Sequence, residues 1–232
     1  MSGTYNRGMS FVTEAVEVRA KGILFDMDGI LISSIGSVER SWHAWATKNG
    51  VDPELAIRTA HGCRAIETIT KLRPDLDGPA ELKWIEDLEI ADQEGILVLP
   101  GVPELLASLP AGRWTVVTSA TGKLARVRLL SGGIVAPEPF VSADTVEQGK
   151  PNPAPYLKGA ELLGFAPEEC VVFEDSGAGV RAGHAAGCRV VATTFSHPLE
   201  ELAKAEFLIT DLTQVRVTAD GDGLRIELRP KA

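Results

Sequence analysis

Short apolar runs that break off into polar pairs punctuate this chain. The first, Gly22-Ile23-Leu24-Phe25, ends in Asp26-Met27-Asp28-Gly29. A run this short and this continuously apolar predicts a strand buried on both faces of a parallel sheet, because a half-solvated strand would alternate. Trp114-Thr115-Val116-Val117 ends in Thr118-Ser119, and Val171-Val172-Phe173 ends in Glu174-Asp175. Phe140-Val141, Val190-Val191-Ala192 and Phe207-Leu208-Ile209 complete the series. Helical stretches fill the intervals: Gly122 to Leu130, a segment through Leu162-Leu163, and Arg181 to Ala186 before the stop at Gly187. Strands alternating with helices predict an α/β fold with a doubly wound, Rossmann-like parallel sheet.

From residue 34 to 95 no strand is expected. Ser33-Ser34 can cap a helix in which Val38, Trp42, Trp45 and Ala46 share a face, up to Asn49-Gly50. Asp52-Pro53 starts a second helix, with Asp as cap and Pro at the first position. His61-Gly62-Cys63-Arg64 interrupts it, a third follows through Ile66, Ile69 and Leu72, and a fourth runs from about Pro79 to Glu94. The pattern predicts an all-helical block at 34–98, a cap inserted into a core made of residues 1–33 and 99–232. The tail differs again: Val215-Arg216-Val217 and Leu224-Arg225-Ile226 alternate around Asp220-Gly221-Asp222-Gly223, a β-hairpin. Its acidic turn lacks the longer loop and closing glutamate of a calcium site.

Composition narrows the function classes. A net charge of −9 with no basic run argues against nucleic acid or an anionic membrane as the main partner. No segment reaches the ~18 consecutive apolar residues of a membrane helix, and Glu14, Glu17 and Arg19 stand where a signal peptide needs an apolar core. Cys63, Cys170 and Cys188 form no C-x-x-C pair, as expected for reduced thiols in a cytoplasmic protein. Met1 to Met9 is polar and glycine-containing, and is expected to be a frayed leader.

In a parallel sheet the strand ends converge on one crevice. They gather Asp26, Asp28, Glu174 and Asp175, the hydroxyls of Thr118 and Ser119, and Lys150 from the loop after the third strand. Buried acids this close repel, and a cation relieves them. Magnesium takes hard oxygens, so Asp26 and Asp175 could supply carboxylates and Asp28 a main-chain carbonyl. Thr118 or Ser119, with the N–H groups of the following helix start, can hold phosphate oxygens. Lys150 offsets the charge of the phosphate. An aspartate nucleophile and a second acid two residues on suit phosphoryl transfer to water.

Asp26-Met27-Asp28-Gly29, Thr118-Ser119, Gly149-Lys150-Pro151-Asn152-Pro153 and Phe173-Glu174-Asp175-Ser176 with Ala178-Gly179 resemble the ordered motifs of the haloacid-dehalogenase-like (HAD) hydrolases. His61-Gly62 with Arg64, the Gln148 to Gly159 segment and the hairpin are similar to the glycerol-3-phosphatase and 2-deoxyglucose-6-phosphatase group. The resemblance implies a magnesium-dependent phosphatase acting on a small sugar or polyol phosphate through an aspartyl-phosphate. It implies Asp26 as nucleophile, Asp28 as acid/base, phosphate binding at Thr118 or Ser119 and at Lys150, and magnesium at Asp26, Asp28 and Asp175. Glu174 would be a supporting acid. His61 and Arg64 are the expected cap contacts to substrate, with Trp42 and Trp45 as cap packing and Asp144 a turn residue. His43, His184 and His197 are assigned no chemistry. The expected assembly is a monomer or weak homodimer. A phosphosugar mutase of the same fold stays open as the alternative, ahead of a non-catalytic phosphosugar-binding protein. A dehalogenase is disfavoured, having no need of magnesium or of an acid at Asp28.

Overall fold

The computed structural model describes residues 10–231; the expected Met1–Met9 leader lies outside them. In chain order the strands are β1 Ser10–Phe11, β2 Val16–Ala20, β3 Gly22–Phe25, β4 Ile32–Ser33, β5 Leu97–Val98, β6 Trp114–Val116, β7 Cys170–Glu174, β8 Arg189–Thr193, β9 Phe207–Ile209, β10 Val215–Asp220 and β11 Gly223–Leu228. The helices are α1 Ile35–Asn49, α2 Pro53–Ala60, α3 Ala65–Leu72, α4 Gly78–Ala91, α5 Val102–Ser108, α6 Gly122–Ser131, α7 Ala154–Leu163 and α8 Gly177–Ala185.

Six strands form one parallel sheet in the order β1-β9-β8-β7-β3-β6. The chain leaves β3 for β6 on one side and later fills β7 on the other. The carboxyl end of β3 is therefore the switch point where such sheets open a crevice. Every residue of β3 and β7 is buried, as a two-sided sheet requires. Ile23, Phe25, Val171 and Phe173 face one core, with Phe25 stacked on Phe173 at 5.3 Å between ring centroids. Leu24, Val172, Val190 and Leu208 face the other, against Tyr156 and Ala160 of α7 and Val180 of α8.

The expected strand at Phe140-Val141 shrinks to a single bridge, Val117 to Val141. Two residues between Pro139, which has no N–H to give, and the Ser142 turn leave no room for a ladder. The hairpin forms as expected, but it is not a detached tail. β11 pairs antiparallel with β2, and Val217, Leu224, Ile226 and Leu228 join the core beneath α5. β2 was not read from the sequence, although its residues alternate.

α1 to α4 pack around their own small core of Trp42, Trp45, Ala46, Ala56, Ile69 and Ile85. Asp52 caps α2 by accepting from the Glu54 N–H, with Pro53 first in the helix. Where the chain leaves for these helices and where it returns, β4 and β5 lie antiparallel, pairing Ile32 with Val98 and Ser33 with Leu97. The two connections to the helical block thus run side by side.

Just beyond the return, Gly101 opens α5 with φ of 84°, and a Cβ there would overlap the backbone of Leu212 and Thr213. Gly101→Ala is expected to lower unfolding stability by about 2 kcal/mol or more, from left-handed strain plus overlap. Chemical denaturation measures it, and an unchanged midpoint would contradict the packing described.

Candidate active site

The crevice at the carboxyl ends of β3, β6 and β7 is lined from below by Asp26, Asp28, Thr118, Ser119, Lys150 and Asp175. From above it is closed by Trp42, His61 and Gly62 of the helical block. Most of the expected site residues therefore meet in one place.

Lys150 is the hub. Its ammonium, 2% exposed, donates to Asp26 Oδ1 at 2.7 Å, Glu174 Oε1 at 2.7 Å and the Val117 carbonyl at 3.0 Å. Glu174 also accepts from the Tyr156 hydroxyl at 2.8 Å on Oε1. Its Oε2 accepts from the N–H groups of Asp175 and Ser176, both at 2.9 Å, and from Ser176 Oγ at 3.0 Å. Burial alone would raise this carboxyl, but Lys150 and the surrounding donors hold it below its ordinary value.

The other acids lack such support. Burial pushes Asp26 up to about 7 in spite of Lys150, with Glu174 adding to the rise. Burial, then Glu174 and Asp26, drives Asp175 well above the carboxylate range, although Ser196 Oγ donates to its Oδ2. One lysine thus serves three buried acids whose oxygens lie within 4.8 Å of one another. An all-oxygen donor set short of positive charge fits a hard divalent cation. Glu174, with both oxygens already taken, fits it least.

Asp28 stands apart from this cluster. Its Oδ1 accepts from Ser34 Oγ at 2.5 Å and its Oδ2 from Arg128 Nη1 at 3.1 Å. The Asp28 carboxylate thus faces hydroxyl and guanidinium donors, which leaves its main-chain carbonyl, as expected, for any part in metal binding. Ser34 sits at the start of α1, yet its hydroxyl goes to Asp28 rather than to a helix N–H. Arg128 also lies 3.3 Å from Glu89 of α4, whose carboxyl burial pushes up to about 7 against the pull of that guanidinium.

Thr118 Oγ1 turns back to accept from the Ala120 N–H at 3.1 Å. Ser119, which lines the crevice as Thr118 does, donates its hydroxyl to the Gly62 carbonyl at 3.1 Å. The cap of α6 is Thr121, which accepts from Leu124 N–H. Asp144, the expected turn residue, lies in the turn at 143–145 and accepts from Gly122 N–H.

Arg64 does not reach the crevice. Its guanidinium bonds Glu67 and the carbonyls of Val146 at 3.1 Å and Glu147 at 2.9 Å, tying the helical block to the loop that carries Lys150. The substrate contact expected of it is replaced by a clamp. His61 does line the crevice, its ring 5.9 Å from that of His197, and burial followed by His197 lowers its pKa. His197, given no chemistry from sequence, thus belongs to the crevice wall, with Phe195 and Ser196. Trp42 packs on Trp45 as expected and also forms part of that wall.

The sequence of residues 20–187 matches the family model of the haloacid dehalogenase-like hydrolases. The chain belongs to this family. Among curated HAD relatives, Hexitol phosphatase A of Escherichia coli is 42% identical, over 89% of this chain and 98% of its own. Glycerol-1-phosphate phosphohydrolase 2 of Saccharomyces cerevisiae is 33% identical, over 90% and 89% respectively. Among solved structures, CbbY from Rhodobacter sphaeroides in complex with phosphate superposes with a TM-score of 0.72 at 26% identity, covering 84% of this chain and 96% of its own. No helix among the described residues is long and apolar enough to cross a membrane.

Glu174→Gln would turn an amide N–H₂ toward donors and strip Lys150 of a counter-charge. It is expected to cost about 3 kcal/mol of stability, since breaking one side of a buried pair strands the other. Thermal and chemical unfolding check it; a loss below about 1 kcal/mol would refute the anchoring role of Glu174.

Proposed function

We propose that this HAD hydrolase is a magnesium-dependent phosphatase of a small sugar or polyol phosphate, with Asp26 as nucleophile and Asp28 as acid/base. The observation that carries the reading is the different setting of these neighbouring acids. Asp26 gives Oδ1 to Lys150, which leaves Oδ2 for attack, while Asp28 is held two residues on by Ser34 and Arg128. The relatedness to a hexitol phosphatase and a glycerol-1-phosphate phosphohydrolase supports the substrate class.

In this mechanism Asp26 Oδ2 attacks phosphorus, the ester P–O bond breaks, and Asp28 gives its proton to the departing alcohol oxygen. Asp28, now ionised, takes a proton from water, which attacks the aspartyl-phosphate and releases inorganic phosphate. Lys150 aims Asp26, favours its ionised form against the effect of burial, and balances phosphate charge. Thr118 Oγ1 only accepts, from the Ala120 N–H, so its proton is free to donate to a phosphate oxygen, whereas the Ser119 proton is already given to the Gly62 carbonyl. Asp26, Asp175 and the Asp28 main-chain carbonyl would hold magnesium, which supplies further positive charge to the phosphoryl oxygens. His61, His197 and Trp42 would meet the organic end of the substrate, and the docked helices would keep bulk water away until the first step is complete. The acidic charge and free thiols fit a cytoplasmic protein acting alone or as a weak homodimer, without nucleic acid or membrane.

The test is phosphate release from hexitol, glycerol, hexose and deoxyhexose phosphates, phosphoglycolate and β-glucose 1-phosphate, with magnesium and with chelator. Release from polyol or sugar phosphates that stops on chelation is expected. Conversion of β-glucose 1-phosphate to the 6-phosphate without release would instead make it a mutase, and inactivity on every ester would defeat both. Asp26→Asn and Asp28→Asn should each stay folded while turnover falls by about 10³-fold or more. Near-normal rates in either purified variant would end the role assigned to it.

A further inference from the structure

We propose that Arg128 is a positioning residue for the reaction: it aims the Asp28 carboxyl, and Glu89 of the helical block fixes Arg128 in turn. The inference rests on the phosphatase reading given above. Arg128 lies on α6, is 3% exposed and yet lines the crevice together with Asp28 and Glu89. Its Nη1 donates to Asp28 Oδ2, while Nη2 lies 3.3 Å from Glu89 Oε1. Nε and Nη2 are buried without a hydrogen-bond partner of proper geometry. A guanidinium with unmet donors is a poor stabilising element, and an apolar side chain would fill the space at lower cost. What it does supply is a donor on the one Asp28 oxygen that Ser34 does not hold.

Opposite ends of the inserted block meet at this group: Ser34 holds Asp28 directly, and Glu89 stands behind Arg128. Ser34 stands where the chain enters α1, and Glu89 lies in the last turn of α4, shortly before the chain returns through β5. Asp28 is therefore aimed only when both connections and the docked face of α4 are in register. The Ser34 hydroxyl can reverse its direction, so the same cradle serves Asp28 with and without its proton.

The chemistry supplies a selective readout. With an alkyl phosphate, the leaving oxygen must receive the Asp28 proton as its P–O bond breaks. With p-nitrophenyl phosphate, the departing phenolate is stable and needs none. The quantity kcat/KM covers only the steps up to departure of the leaving group. A misaimed Asp28 thus lowers kcat/KM for the alkyl ester selectively, whereas a loosened fold lowers both.

The experiment compares sorbitol 6-phosphate with p-nitrophenyl phosphate, with magnesium, for the wild type, Arg128→Met, Arg128→Lys, Glu89→Gln and the double variant Arg128→Met/Glu89→Met. The ratio of the two kcat/KM values is expected to fall by about tenfold or more in Arg128→Met, and less in Glu89→Gln, with partial recovery in Arg128→Lys. The double variant leaves no stranded buried charge, so it should fold and show the same altered ratio if Arg128→Met itself does not fold. A ratio that stays at the wild-type value in the folded variants overturns the inference alone. A wild type that releases phosphate from neither ester overturns the reading of the function beneath it.

Discussion

One ammonium group holds this site together. Lys150 Nζ sits within hydrogen-bond distance of Asp26, Glu174 and the Val117 carbonyl, and so joins the carboxyl ends of three neighbouring sheet strands. Without it, two buried carboxylates would face each other in a medium where their repulsion is scarcely screened. Glu174 answers by accepting from five donors, which turns it into a fixture that locates Lys150. Asp26 and Asp175 have no comparable set of donors, and their carboxyls rise accordingly. The division of labour among the acids follows from how many donors each one receives, more than from their order along the chain.

That division explains why parts of the site were readable and others were not. Asp26, Asp28, Glu174 and Asp175 announce themselves because a buried strand has no other reason to end in paired acids. Lys150 could be read because Gly149 and Pro151 flank it and the segment falls in order with the other motifs. The roles within the group could not, since nothing local says that Glu174 is saturated or that Asp28 turns away from the other acids. Arg64 shows the limit from the other side: a loop arginine looks the same whether it faces a crevice or clamps a neighbouring loop. Arg128 and Glu89 look like ordinary charges on exposed helices until α4 and α6 pack together and bury both.

The fold divides along the same line. The central strands and the four inserted helices follow local periods, and those periods survive into the structure. β2 carries the alternation of an antiparallel strand, but its partner lies some two hundred residues away at Leu224 to Leu228, beyond the reach of any local pattern. Phe140-Val141 has the composition of a strand and lacks the length, because a turn follows at once. Local chemistry settles what a segment can be, and a distant partner settles what it becomes.

The helical block needs both kinds of information to make sense. Its own core of tryptophans and aliphatic residues makes it a separate packing unit, and several polar contacts tie it to the rest of the chain. Ser119 holds the Gly62 carbonyl, Arg64 holds the loop before Lys150, and Arg128 meets Glu89. Contacts of this kind hold only while donor and acceptor stay in register. Ser119 and Arg128 line the crevice themselves, and Val146 and Glu147 lie in the loop that leads to Lys150. Docking the block and aiming Asp28 are then a single event, whereas the acids around Lys150 are held by core residues alone.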